Sequence, residues 1–129
     1  MNGCLLDTNV ITKILNNDLA AIQLIQKAEK LCTSVIVAGE LYFAAANSSK
    51  RETNFEVFRK VLSSMQIIPI DDAVCMSYAE IKTGLKKKGK PIPDNDIWIA
   101  ACALAHGLSI ASFDNHFLEI PEIELVEID

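Results

Sequence analysis

Apolar and polar residues follow one another along the chain in blocks that predict strands alternating with helices. Short apolar runs predict strands at residues 4–6, 32–34, 66–70, 108–112 and 125–128. Apolar residues at helical spacing predict six helices. The first starts at residue 8 or 9, and the next three cover about 19–31, 37–46 and 55–65. The last two run from 71 or 72 to 88 and from 94 or 95 to 106. This alternation predicts an α/β fold with a mainly parallel central sheet.

Residues that commonly start and stop helices support these boundaries. Side chains able to cap a helix stand before the predicted helices: Thr8 or Asn9, Asp18, Asp71 or Asp72, and Asp94 or Asn95. Gly89 and Gly107 stand where two of the helices should end. No internal repeat or Pro/Gly-rich linker divides the pattern, so we expect a single domain over residues 1–129.

The composition favours a folded domain in a reducing compartment. Half of the 129 residues are hydrophobic and 22% are charged, which is enough to build a core and argues against disorder. The start lacks a basic segment followed by an apolar run, and no apolar stretch could span a bilayer, so we expect a cytoplasmic protein without a membrane partner. The four cysteines are far apart and form no CxxC pair, which favours reduced core thiols over disulfides or zinc.

The net charge of −5 is concentrated at the end of the chain. Five of the seventeen acids fall within residues 119–129, and the remaining twelve balance the twelve lysines and arginines. If four of those twelve acids bound a metal, the rest of that surface would carry about +4. The charge therefore does not exclude RNA as a partner, although it predicts no extended basic surface.

Four acids occupy positions that call for a common explanation. Asp7 and Asp114 follow predicted strands, whose carboxyl ends line the ligand crevice in open α/β sheets. Glu40 lies in the apolar run 35–41, and Asp96 opens a very apolar helix. Taken singly, a strand end, a helix dipole or a turn explains all but Glu40. The joint pattern is what indicates a site.

Buried carboxylates that converge need a positive partner. Their desolvation is costly, and their mutual repulsion raises their pKa values further. A divalent cation relieves both costs, and a ligand set made only of oxygen favours Mg²⁺ or Mn²⁺. Such an ion can activate water and stabilise negative charge on a phosphoryl oxygen, so the pattern indicates phosphodiester chemistry.

With its acids in this order, the sequence resembles the PIN-domain family and, within it, the VapC-type toxin ribonucleases. The matching segments are residues 5–9 (LLDTN), 34–41 (SVIVAGEL), 93–101 (PDNDIWIAA), 112–117 (SFDNHF) and 120–125 (IPEIEL). Each motif is weak by itself, but their order and spacing make the resemblance fairly specific. It covers essentially the whole chain.

The resemblance implies a three-layer α/β/α sandwich with a mainly parallel sheet of about five strands. It implies Mg²⁺ or Mn²⁺ held by Asp7, Asp96 and Asp114, with Glu40 as a further ligand, directly or through water. Thr8 or Ser112 would then supply a supporting hydroxyl. Asp94 competes with Asp96 for one ligand position, and we prefer Asp96 because of its register before Ala100 and Ala101.

The same resemblance implies an endoribonuclease that leaves a 5′-phosphate and a 3′-hydroxyl, with Glu40 positioning or deprotonating the attacking water. It also implies a cognate antitoxin protein and a homodimer. Further residues are candidates for substrate contact: Asn9, His116, Lys86, Lys87 and Lys88. A solvated helix end is the simpler explanation for the three lysines, and His116 could be incidental.

Two other classes of function remain open. One is a catalytically weak module of the same fold that binds RNA or a protein partner, which the presence of all four acids disfavours. The other is a metal-dependent DNA nuclease or phosphatase, although the chain offers no obvious element for gripping a duplex. No Ser–His–Asp arrangement or phosphate-binding GxxxxGK[ST] loop is present in the sequence.

Overall fold

The computed structural model describes residues 3–126, which form a parallel sheet flanked by helices. The elements in chain order are β1 (Cys4–Leu6), α1 (Thr8–Leu15), α2 (Leu19–Lys27), β2 (Leu31–Ser34), α3 (Val35–Ala46), α4 (Arg51–Ser63), β3 (Gln66–Ile68), α5 (Asp72–Lys88), α6 (Asp94–His106) and β4 (Ser109–Ala111). A short 3₁₀ helix over Asn115–Glu119 follows β4. The predicted α/β class and the strand–helix alternation are confirmed.

The strand order β3-β2-β1-β4 places β1 between β2 and β4, with all pairs parallel. The chain extends the sheet in one direction from β1 to β3 and then crosses back to add β4 on the other side of β1. Right-handed crossovers that run in opposite directions place their helices on opposite faces of the sheet. This reversal opens a crevice beyond the carboxyl ends of β1 and β4.

The expectation of about five strands is wrong, because the described residues contain four. In place of a fifth strand, Leu125 forms a single parallel bridge with Ile110. The backbone contributes two hydrogen bonds there, from Ile110 N to Glu124 O and from Val126 N to Ile110 O, each 2.9 Å. The rest of the predicted 125–128 strand, residues 127–128, lies outside the described residues.

Two predicted helix caps are also wrong. Asp7, rather than Thr8 or Asn9, is the N-cap of α1. Helix α6 begins after Pro93, whose backbone turns the chain without a side-chain cap, so Asp94 and Asn95 both lie inside the first turn. The predictions of Asp18 and Asp71 as N-caps, and of helix ends at Gly89 and Gly107, are confirmed.

Several helical boundaries differ from those that the pattern predicts, and helix α4 covers Arg51–Ser63 instead of about 55–65. Helix α2 ends at Lys27 because Ala28 adopts an extended backbone and leads into β2. Helix α3 starts at Val35, two residues early, because Ser34 caps it directly at the end of β2. The predicted loop after β4 contains the 3₁₀ helix, which Asp114 caps.

The core lies between the sheet and its helices. Three of the four cysteines, Cys4, Cys32 and Cys102, are buried there, as predicted, whereas Cys75 lies on the exposed side of α5. All four are free thiols. Among residues 3–126, no helix combines the length and the apolar character that crossing a bilayer requires.

The contribution of Ser34 as the N-cap that joins β2 to α3 can be tested by mutation. Its buried hydroxyl accepts hydrogen bonds from Ile36 N at 3.1 Å and Val37 N at 3.2 Å. We expect Ser34→Ala to lower the free energy of unfolding by about 1–2 kcal/mol, because it leaves these amides without an acceptor. Urea denaturation measures the change.

The matched control is Ser63→Ala. The exposed Ser63 hydroxyl donates only to Lys60 O within α4, at 2.7 Å. Its loss should change the free energy of unfolding by less than about 0.5 kcal/mol. Equal effects of the two substitutions would contradict the capping role of Ser34.

Candidate functional site

The pairing of β1 with β4 places Asp7 beside Ser112. Leu6 is opposite Ala111 in the ladder, and Asp7 N donates to Ala111 O at 3.0 Å. The Ser112 hydroxyl donates to Asp7 Oδ2 at 2.7 Å, while Asp7 Oδ1 accepts from Thr8 N at 2.8 Å. Both carboxylate oxygens are therefore held, and the side chain is only 5% exposed.

Glu40 reaches the same crevice from α3. Thr8 Oγ1 donates to Glu40 Oε1 at 2.6 Å, and Asn95 Nδ2 lies 3.4 Å from Glu40 Oε2. Val37 and Leu41 on the same helix are fully buried, which explains the apolar sequence around this half-buried acid. Glu40 is thus held between the first turns of α1 and α6.

Asp96 and Asp94, two residues apart on α6, point to different surroundings. Asp96 is 9% exposed, and its Oδ2 lies 2.6 Å from His116 Nδ1. Asp94 is exposed and accepts hydrogen bonds from Tyr78 OH, at 2.9 and 3.0 Å, and from Lys82 Nζ at 3.1 Å. The structure therefore supports the preference for Asp96 as the acid of the site.

Asp114 and His116 complete the cluster from the loop after β4. Asp114 N donates to Ser112 Oγ at 2.9 Å, and Asp114 Oδ1 accepts from His116 N at 2.9 Å. His116 Nδ1 lies 3.1 Å from Asp114 Oδ1 as well as 2.6 Å from Asp96 Oδ2. The imidazole therefore connects two acids that are 18 residues apart in the sequence.

The amide side chains of Asn9 and Asn95 form hydrogen bonds that connect different elements at this site. Asn9 Oδ1 accepts from Phe113 N at 3.1 Å and its Nδ2 lies 3.4 Å from Ser112 Oγ, which ties α1 to the loop after β4. Asn95, which the sequence suggested only as a helix cap, contacts Glu40 instead. Its position next to Asp96 was the one feature of the sequence that could have indicated a place in the site. The predicted substrate contacts of Asn9 and His116 stay predictions.

The three lysines of α5 lie at its exposed carboxyl end. Lys88 Nζ donates to Glu119 O at 2.6 Å, which directs this side chain towards the 3₁₀ helix. Lys86 lines a groove of about 370 Å³ together with Ile92 and Asp94. Phosphate docking by Lys86, Lys87 and Lys88 stays a prediction.

The crowding of the acids perturbs their protonation. The pKa of Asp7 is raised to about 6, mainly by burial and also by the charges of Asp96 and Glu40, while the hydrogen bonds from Ser112 and Thr8 oppose the shift. Burial also raises the pKa of Asp96, against the hydrogen bond with His116. The same hydrogen bond raises the pKa of His116. The hydrogen bonds therefore leave the negative charge of the buried acids incompletely compensated.

These residues fit a divalent cation. Four carboxylates supply hard oxygen donors, and the raised pKa of Asp7 and Asp96 marks charge that a cation would neutralise. Among residues 3–126, the group whose ligand atoms all lie within 4.8 Å of one another consists of Asp96, Asp114 and His116; the predicted ligands Asp7 and Glu40 are not part of it. The donor set of this cluster is therefore chemically suited to a divalent metal.

Comparisons with known proteins agree with this geometry. The PIN domain family model matches residues 4–123. Ribonuclease VapC2 of Haemophilus influenzae is 36% identical over 110 residues, covering 84% of this chain and 83% of its own. Ribonuclease VapC2 of Rickettsia felis is 29% identical over 130 residues and 97% of each chain.

Solved structures are similar over nearly the whole chain. A chain in the crystal structure of VapBC2 from Rickettsia felis bound to a DNA fragment from their promoter has a TM-score of 0.87 and 28% identity, covering 98% of this chain and 99% of that one. A chain of DNA-bound VapBC from Salmonella typhimurium has a TM-score of 0.88 and 27% identity, covering 98% of both.

The raised pKa of Asp7 predicts how the metal-free protein responds to pH. Asp7 is neutral in both states well below pH 4; between about pH 4 and pH 6 it ionises in the unfolded state before it does so in the folded state, so the penalty on the folded state grows over this range and is complete above about pH 6. In EDTA, we expect Asp7→Asn to raise the free energy of unfolding at pH 7.5 by up to about 3 kcal/mol relative to wild type, and to lose this advantage towards pH 4. Urea denaturation at a series of pH values measures the difference.

Asp94→Asn serves as the control for that measurement. The hydrogen bond with Lys82 lowers the pKa of Asp94, so its charge favours the folded state and its removal should give no gain at pH 7.5. A gain for Asp7→Asn that is the same at pH 4 and pH 7.5 would contradict the electrostatic origin of the effect.

Proposed function

The chain belongs to the PIN-domain family, and from this premise we propose that it is a metal-dependent endoribonuclease that acts as the toxin of a toxin–antitoxin pair. The family predicted from the sequence motifs is confirmed, and curated relatives that cover most of the chain are named as VapC ribonucleases. One observation carries the proposal: the carboxylates of Asp7, Glu40, Asp96 and Asp114 lie near one another, since the charges of Asp96 and Glu40 act on Asp7 and those of Asp114 and Glu40 act on Asp96.

We assign the metal to Mg²⁺ or Mn²⁺, held by Asp7, Asp96 and Asp114. When bound, such an ion would supply activation of water and neutralisation of charge on the phosphodiester. Ser112 supports two of the three ligands, because its hydroxyl donates to Asp7 Oδ2 and accepts from Asp114 N. This support should keep the carboxylates in one arrangement while RNA binds and leaves.

Glu40 is suited to act on the attacking water. Thr8 and Asn95 each occupy one side of its carboxylate, which fixes the orientation while leaving lone pairs that face the crevice. A carboxylate held in this way can accept a proton from water as the water attacks phosphorus in line. The bond between phosphorus and the 3′ oxygen then breaks, and the departing oxygen takes a proton from water, which leaves a 5′-phosphate and a 3′-hydroxyl.

The proposed biological setting is the bacterial cytoplasm with a cognate antitoxin. Relatives of similar structure are VapBC complexes, and an inhibitor that covers this crevice must match its negative charge. A basic side chain of the antitoxin placed among the carboxylates would do so. We also propose a homodimer, for which the apolar helices offer surface.

The neighbouring acids of α6 give a matched test of catalysis. Asp96→Asn should lower the Mg²⁺-dependent rate of cleavage of single-stranded RNA at least about a hundredfold, because a metal ligand is lost. Asp94→Asn removes an exposed carboxylate paired with Lys82 and should stay within about threefold of wild type. Gel assays with and without EDTA measure both rates, and EDTA should abolish cleavage by the wild type.

The outcomes separate the proposal from its alternatives. Cleavage that survives equally in wild type, Asp96→Asn and EDTA would contradict a metal-dependent nuclease. RNA binding without cleavage in Mg²⁺ or Mn²⁺ would indicate a binding module instead. Duplex DNA and p-nitrophenyl phosphate, tested in parallel, identify a DNA nuclease or a phosphatase.

A further inference from the structure

We propose that His116 is a nitrogen ligand of the metal centre, so that this chain holds a mixed oxygen–nitrogen site that favours Mn²⁺ over Mg²⁺. The proposal rests on the proposed function, which supplies the metal centre. It adds a donor that the carboxylate pattern of the sequence does not include.

The distances around His116 match those between ligands of one ion. Its Nδ1 lies 2.6 Å from Asp96 Oδ2 and 3.1 Å from Asp114 Oδ1. Ligands on neighbouring vertices of an octahedron with bonds of about 2.1 Å are about 3.0 Å apart. A small shift of these side chains would therefore bring all three atoms onto one cation.

The backbone holds the imidazole in this position. His116 N donates to Asp114 Oδ1 at 2.9 Å, which places the residue in the first turn of the 3₁₀ helix. The next residue, Phe117, is fully buried and anchors that turn in the core. His116 is thus aimed at the acids by two fixed neighbours, unlike a side chain that extends freely into solvent.

A competing explanation is that His116 only orients Asp96. When Nδ1 carries a proton, the 2.6 Å separation is a hydrogen bond that Nδ1 donates to Asp96 Oδ2, strengthened by the charge of the carboxylate. A cation and this proton compete for the same pair of atoms, because a metal requires the lone pair of a neutral imidazole. Direct coordination and indirect support differ in whether nitrogen is bonded to the metal, which spectroscopy can detect.

The donor type determines which ion should benefit. Mg²⁺ is bound through oxygen ligands and loses its waters reluctantly. Mn²⁺ is the weakest binder of the first-row transition series, but as a transition-metal ion it accepts an imidazole nitrogen more readily than Mg²⁺ does. His116 should therefore contribute more to the binding of Mn²⁺ than of Mg²⁺. An all-carboxylate version of the site would lack this difference.

Pulsed electron paramagnetic resonance on the full chain with Mn²⁺ alone tests direct coordination. The chain has two histidines, and the other one, His106, lies at the far end of α6 with its Nε2 3.4 Å from Asp71 Oδ2. We expect nitrogen coupling to bound Mn²⁺ that changes from the ¹⁴N to the ¹⁵N pattern when histidine is ¹⁵N-labelled. The coupling should persist in His106→Asn and disappear in His116→Asn.

Calorimetry supplies the second readout. His116→Asn should weaken Mn²⁺ binding about tenfold and Mg²⁺ binding less than about threefold. Thermal unfolding in EDTA checks that the variant is folded, and the labelled wild type carries the test if it is not.

The results separate the two proposals. Mn²⁺ that binds in an Asp96-dependent manner without histidine coupling would overturn the role of His116 and leave the metal centre intact. Absence of Asp96-dependent binding would overturn both. Equal losses for the two ions would overturn the Mn²⁺ preference.

Discussion

Several carboxylates are held close together in a partly buried crevice, which costs free energy because burial disfavours their charge and like charges repel. The other residues of the site are arranged around these carboxylates. Burial, together with the charges of Asp96 and Glu40, raises the pKa of Asp7 to about 6. A folded protein tolerates such crowding when a function requires it, at the expense of stability. The carboxylates therefore lower the stability of the fold, and this is the cost that the proposed cation would relieve.

Hydroxyl and amide groups from several elements hold these acids without neutralising them. Thr8 ties Glu40 to the start of α1, and Ser112 ties Asp7 to the loop after β4. Asn9 fixes that same loop through Phe113 N. Neutral donors suit this task because a lysine or arginine in their place would satisfy the carboxylates permanently and compete with a metal.

The sequence predicted which acids lie near one another in the fold better than it predicted the contacts that hold them. Glu40 stood out because an acid in an apolar helix has no ordinary explanation, and Asp7 and Asp114 because they follow strands. The choice of Asp96 over Asp94 rested on register and agrees with the opposite environments of the two side chains. His116 and Asn95 carried weaker signals, since their partners, Asp96 and Glu40, depend on how α6 meets α3 and the 3₁₀ helix.

Local patterns determined what depends on neighbours along the chain: the alternation of strands and helices, most helix ends, and the four candidate acids. Strand number and the caps at Asp7 and Pro93 were decided by tertiary structure, because pairing to Ile110 and the turn into each helix depend on distant segments. Only the folded chain brings Asp7 beside Ser112 and His116 between Asp96 and Asp114. Contacts between residues far apart in sequence arise from sheet register and crossover direction, which no local periodicity encodes.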